Sequence, residues 1–322
     1  MVPLVDRSQI ERLLLLAAAL ESGVIDALAE AEAATASAVA ASASADPRVC
    51  RLVLEALAEI GVVEVVRSSD PSLYRLTERG RRHLVEPGPD LERARLVHQA
   101  GKARGWMELP YIIAHGKRPP ASRRRRNLHA FAHTMAEGSS AKIDESVDAI
   151  LSYARPVHPR SMIDVGGGLG HVALRFADRG LQATVVDTPS IIRLARRQRD
   201  AVGSGVRLVE GDFNVALPSG PFDVAYLGNV FHIYGPAKNR RLADRVYRTL
   251  APGGVLAAVD LVWDRSPRAR MFAVDMLQAT DEGGVWLEEE YRTWLQEAGF
   301  EDVEIVDLTL GTNQLILGRR MR

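Results

Sequence analysis

The chain holds a single cysteine, Cys50, in 322 residues. One cysteine closes no internal disulfide and builds no cysteine-based zinc site, so a reducing, cytoplasmic setting is expected. Long apolar runs are also missing. Leu13 to Leu20 is cut by Glu21, short of the roughly 18 residues of a membrane span, and no cleavage-site pattern follows. It is expected to be a buried helix. Neither sign of charge prevails: 41 Lys+Arg stand against 41 Asp+Glu, which disfavours a general polyanion binder. Arg123–Arg126, in the Pro-containing stretch from Lys117, is a local exception, either a solvated loop or a contact for an anionic substrate or partner. His129 and His133 stand four apart on one helix face, but no Glu-x-x pattern separates them; a polar face and no metal are expected.

What is present centres on Asp164-Val-Gly-Gly-Gly-Leu-Gly170, directly behind the apolar Ser161-Met-Ile163. A strand ending in glycines lets the backbone approach a ligand, and the following helix directs free N–H groups toward it. A second apolar run ends in Asp187, an acid placed to accept both hydroxyls of a ribose. Gly166, Gly168 and Gly170 give G-x-G-x-G, and His171 stands where the dinucleotide fingerprint needs its last glycine. Asp164 would repel a pyrophosphate and attract an amino group. The combination favours S-adenosylmethionine over a dinucleotide.

The chain suits two ordinary domains, with a helical segment between them. Over residues 1–90, helical spacing at 8–33 places Leu14, Ala17, Ala18, Ile25 and Leu28 on one face, with a break at Gly23. A short helix follows Thr35. Asp46-Pro47 opens another, expected to bury Val49, Leu52, Val53, Ala56, Leu57 and Ile60, with Cys50 a small core residue. Two short strands, 62–66 and 73–76, complete a winged-helix unit. The helix opened by Asp46-Pro47 offers only Arg48 and Arg51 as base readers, so dimerisation is expected rather than DNA binding. Residues 91–150 are expected to be mainly helical. From 151 to 322, strands at 161–165, 183–187, 206–210, 222–228 and 255–261 alternate with helices, implying a mainly parallel sheet. The candidates 302–307 and 313–318 are too close for a parallel crossover and should form an antiparallel hairpin.

Taken together, these residues resemble a class I S-adenosylmethionine-dependent methyltransferase. More closely, the chain resembles the small-molecule O-methyltransferases with an N-terminal winged-helix dimerisation domain, among them plant caffeate and flavonoid enzymes and bacterial antibiotic and pigment tailoring enzymes. Val185-Val-Asp187-Thr-Pro189, Gly211-Asp212-Phe213 with Leu217-Pro218, and Leu250-Ala-Pro-Gly253-Gly254 resemble family motifs in the family's order. The resemblance implies a Rossmann-like seven-stranded sheet with an antiparallel last strand, a homodimer, and methyl transfer that releases S-adenosylhomocysteine. It places Asp164, Gly166, Gly168 and Gly170 at the methionine and ribose end, Asp187 on the ribose, Asp212 and Phe213 at the adenine, and Asn229 beside the cofactor.

It also implies that His232, in Asn229-Val-Phe-His232-Ile233-Tyr234, is the general base, with Ile233 where the family has Asp. Gly228 stands where plant members carry a basic residue. Asp275 is a candidate to orient His232 or to bind a substrate hydroxyl. Candidates to line an acceptor pocket, or else core, are Trp106, Tyr111, Phe131, Met135, Phe272, Met276 and Trp286, which favours a flat hydrophobic acceptor. The segment after Gly283-Gly284 is Val285-Trp286-Leu287 where the family often has Glu-Arg-Thr. Two alternatives stay open: a methyltransferase fold used for C- or N-methylation or for a non-methylating reaction, and a ligand-responsive winged-helix regulator.

Overall fold

The computed structural model describes residues 6–67, 71–88, 91–120, 140–202, 205–309 and 311–322. The described residues divide into two compact units, one running to Arg104 and the other beginning at Gly105. The boundary thus falls inside a helix.

The first unit opens with α1 (Arg7–Glu21) and α2 (Val24–Ala29), split at Gly23. Then follow β1 (Ala34–Thr35), α3 (Ala36–Ser42), α4 (Pro47–Glu59), β2 (Val63–Arg67), β3 (Leu73–Leu76), α5 (Glu78–Leu84) and α6 (Arg93–Trp106). Asp46 caps α4 by accepting from the Val49 N–H at 2.9 Å, and Pro47 takes the first helical position. β3 pairs antiparallel with both β2 and β1, giving the wing one more strand than expected. Ile25, Leu28, Val39, Leu54, Leu57 and Tyr74 form the core. On α4 the buried stripe is Cys50, Leu54 and Leu57; Val49 and Leu52, expected inside, are each 51% exposed. Leu14 and Ala18 on α1 likewise face out, while Ala17, Ala19 and Leu20 face in. Both helices are apolar on more than one face, so periodicity alone chose the wrong flank.

The second unit continues with α7 (Leu109–His115) and α8 (Ser140–Ala154), then β4 (Ser161–Val165), α9 (His171–Ala177), β5 (Gln182–Asp187), α10 (Pro189–Val202) and β6 (Val206–Glu210). After these come β7 (Phe222–Gly228), α11 (Pro236–Thr249), β8 (Leu250–Asp260), α12 (Ala269–Ala279), α13 (Glu288–Glu297), β9 (Phe300–Asp307) and β10 (Gln314–Arg320). The seven strands lie in the order β6-β5-β4-β7-β8-β10-β9. The first five are parallel; β10 runs antiparallel to both β8 and β9, as the short connection between β9 and β10 requires. One apolar cluster, with Val165, Leu227, Leu256 and Trp294, covers one face, and another, with Met162, Phe176, Val224 and Ala257, covers the other. A sheet buried on both faces leaves its strand ends for ligands, and the strand order reverses beside β4, between β5 and β7.

Candidate active site

The turn after β4 is shaped by what a side chain would collide with. A Cβ on Gly167 would stand 2.4 Å from Cγ of Asp164, so the backbone folds directly over that carboxylate. Gly168 has a φ of +59° and open space where a side chain would go. Its N–H donates to Oδ2 of Asp187 at 3.0 Å, and the Thr188 N–H donates to Oδ1 at 2.6 Å. The Asp187 carboxylate is thereby fixed at the tip of β5 with lone pairs to spare. Gly166 sits between Val230 and Phe213: its Cβ would meet Val230 Cγ2 at 3.2 Å and Phe213 Cε1 at 3.3 Å. Gly170 opens α9. The glycine turn, the β6–β7 connection and the segment after β7 therefore converge.

Asp164 is 1% exposed, and its Oδ2 has no hydrogen-bond partner. Burial, reinforced by the neighbouring Asp187 charge, raises its pKa to about 7. Asp187 is raised as well, by burial, against the opposing bonds from Thr188 and Gly168. Phe213 is buried and meets Tyr234 edge-on at 6.1 Å. Asp212 is exposed and accepts from the Asn214 N–H at 2.8 Å. Asn229 takes a φ of +60°, and its N–H donates to Val259 O.

His232 lies on a single helical turn after β7 and is 8% exposed. Its Nδ1 is 2.7 Å from Oδ1 of Asp260, the last residue of β8. The same carboxylate accepts from the His232 backbone N–H at 3.1 Å and the Leu261 N–H at 2.9 Å. With Nδ1–H donating to Asp260, Nε2 is the basic nitrogen. The turn is held from further sides. Asn239 donates to Phe231 O and Tyr234 O, Trp286 Nε1 donates to Phe231 O, and the Gly284 N–H donates to His232 O at 3.0 Å. A Cβ on Gly283 would stand 2.3 Å from His232 O, so the Gly283-Gly284 turn exists to press against this loop.

Asp275 does not orient His232; Asp260 does. The Asp275 carboxylate accepts from Trp106 Nε1 at 3.0 Å and Gln278 Nε2 at 2.8 Å. Phe272, one turn earlier on α12, stands edge-on to the His232 ring at 4.9 Å. Met276 is buried on the same helix. Trp286 packs with Trp294 against the core and steadies the His232 turn. Tyr111 of α7 stacks on His115 at 4.0 Å, and α7 packs on α12. Phe131, Met135, His129, His133 and Arg123–Arg126 lie outside the described residues. Asp260 carries no local motif. Its one signal in the sequence is an acid closing the apolar run Val255–Val259, whose end the parallel pairing with β7 sets beside the His232 turn.

The donor set fits a sulfonium nucleoside of amino-acid type. An orphaned buried carboxylate awaits a cation, Gly168 leaves space unfilled, and Asp187 presents a fixed acceptor for a diol. A parallel sheet with an antiparallel terminal hairpin and this turn define a Rossmann-like methyltransferase. The O-methyltransferase domain family matches residues 100–301, and the O-methyltransferase dimerisation domain matches 14–86. The chain belongs to the O-methyltransferase family, whose methyl donor is S-adenosylmethionine. It is 29% identical to acetylserotonin O-methyltransferase of Bos taurus, over 94% of this chain and 92% of that one. It is 27% identical to 3-amino-4-hydroxybenzoate 4-O-methyltransferase of Streptomyces cremeus, over 92% and 83%. The human N-acetylserotonin methyltransferase, solved with S-adenosylmethionine, shares the fold: the TM-score is 0.73 at 24% identity, and all of each chain is covered.

Proposed function

We propose that this enzyme methylates a hydroxyl of an aromatic or polyketide-like small molecule, with His232 as general base. The observation that carries the proposal is the His232–Asp260 pair, buried beside the glycine turn and capped by Phe272. The related enzyme of Streptomyces cremeus is named for a hydroxybenzoate, which supports a flat acceptor.

The bound cofactor supplies a methyl group on a sulfonium, already electrophilic. What the chain must add is an oxygen nucleophile in line with it. A phenol of pKa about 10 is a poor nucleophile at neutral pH, while an imidazole of pKa about 6.5 is largely free to accept its proton. His232 Nε2 takes that proton, and Asp260 holds the ring and balances the imidazolium charge. Asp187 would hold the ribose hydroxyls and Asp164 the ammonium, and Phe213 would pack at the adenine. Phe272 lines the acceptor side of the base. The test is transfer of labelled methyl to a panel of phenols, with S-adenosylhomocysteine released one for one. Product formed without that stoichiometry would favour a non-methylating reaction, the alternative that Ile233 suggests, and methyl found only on nitrogen or carbon would reassign the acceptor atom.

The outward face of α4 carries Val49 and Leu52. An apolar face of this kind fits a second copy of the chain rather than DNA, consistent with the dimerisation-domain match. No helix among the described residues is long and apolar enough to cross a membrane; a cytoplasmic homodimer is part of the proposal.

A further inference from the structure

Tyr226 of β7 pairs in register with Asp164 of β4, and both side chains point to the same sheet face. The Tyr226 ring leans toward the strand's C-terminal end and crosses Gly228. A Cβ at 228 would stand 2.8 Å from Tyr226 Cε1 and 2.9 Å from its hydroxyl oxygen. The missing side chain at 228 is therefore what lets the hydroxyl reach the strand ends, where the glycine turn and the His232 loop meet. The ring itself is 6% exposed and tilted against Phe176 at 6.3 Å. Burial, with the Asp164 and Asp260 carboxylates, pushes the phenol's pKa far up, so it stays a donor.

That donor has no acceptor among the described residues. Beside it, Asp164 Oδ2 has no donor. A buried carboxylate oxygen is rarely left unpaired, so Asp164, with the Tyr226 hydroxyl beside it, points to a ligand. One that satisfies both must bring a cation and an anion on neighbouring atoms, which is the description of an α-amino acid. Two acids flank the phenol, so an anion entering here needs a donor that neither can provide. We propose that Tyr226 donates its hydroxyl to the carboxylate of the cofactor's methionyl group while Asp164 holds the adjacent ammonium. The proposal rests on S-adenosylmethionine as the cofactor. It makes Tyr226 a binding residue that Gly228 permits.

Calorimetry with two ligands tests it. S-adenosylhomocysteine carries the amino-acid group; 5′-methylthioadenosine lacks it. Tyr226→Phe should weaken S-adenosylhomocysteine about tenfold or more, the usual effect of removing a hydrogen bond to a charged group, and leave methylthioadenosine unchanged. A merely structural role would weaken both ligands together, and either that or an unchanged S-adenosylhomocysteine affinity overturns the proposal. Gly228→Ala, which crowds the hydroxyl from outside the core, should reproduce the selective loss and serves if Tyr226→Phe fails to fold; equal losses there count against it too. Failure of the wild type to bind S-adenosylhomocysteine would instead overturn the cofactor assignment beneath it.

Discussion

His232 and Asp260 divide one task between two strand ends. In the proposed mechanism the first accepts a proton and the second fixes which nitrogen accepts it. His232→Ala should lower kcat about 10²–10⁴-fold while cofactor affinity stays within a factor of two or so, because proton acceptance is lost and the glycine turn is untouched. Asp260→Asn keeps the shape of the pair but allows the wrong tautomer, and should lower kcat with a smaller change in KM. Equal kcat for Asp260→Asn and wild type, measured on any acceptor that turns over, would remove Asp260 from the mechanism. Asp164 adds a pH dependence of definite sign. Its folded pKa, about 7, lies above the ordinary 3.8. A group raised on folding favours the free fold fully below its unfolded pKa, and that contribution is lost as pH rises through about 7. The cofactor's ammonium favours the ionised form, so S-adenosylhomocysteine affinity should climb by up to about tenfold per pH unit from 5.5 toward 7 and level off above. Asp187 is shifted the same way, and Asp164→Asn separates the two: the climb should largely disappear in that variant. A climb of the same size in Asp164→Asn would assign the effect elsewhere.

At the scale of elements, the site is made by turns pressed onto one another. Gly283→Ala places a Cβ 2.3 Å from His232 O and 2.4 Å from Thr280 Oγ1, so the His232 turn must move. The expected outcome is a fall in kcat of at least about tenfold with cofactor binding preserved, since shifts of about 1 Å in catalytic groups are costly. Unaltered kcat in a folded Gly283→Ala protein would refute the coupling. This turn also shows what sequence carries and what it does not. The run from Asp164 to Gly170 and the acid Asp187 are legible because one local segment holds both the strand end and its turn. The antiparallel hairpin is legible from a connection too short for a crossover. Asp260 is not, because its partner is 28 residues away and is met only through the β7–β8 pairing. Nor is the Asp275–Trp106 bond, which spans 169 residues. For Trp286 the sequence leaves pocket and core equally open because aromatic character is local, whereas its donor role toward Phe231 O is set by packing.

At the scale of the whole molecule, the first unit presents a surface that a single chain leaves unfilled. Val49 and Leu52 on α4 are each 51% exposed, and Ile10 and Leu14 on α1 are 47% and 42% exposed. These belong to helices whose other faces already form a complete core around Ile25, Leu54 and Leu57. Their apolar character is therefore surplus to the fold of the unit, and it lies on helices that fall wholly or partly within the dimerisation-domain match, which begins at residue 14. A charge placed there should leave the unit folded, because it enters solvent in the separated chain, and should oppose association, because it would be buried without a partner in a dimer. Leu52→Glu is accordingly expected to shift micromolar protein from dimer to monomer in sedimentation equilibrium, with circular dichroism unchanged. Glu59→Gln, on the same helix but already polar and exposed, should leave the mass unaltered. A dimer that survives both Leu52→Glu and Val49→Glu would place the interface on another surface and leave the exposed stripe of α4 for a different partner.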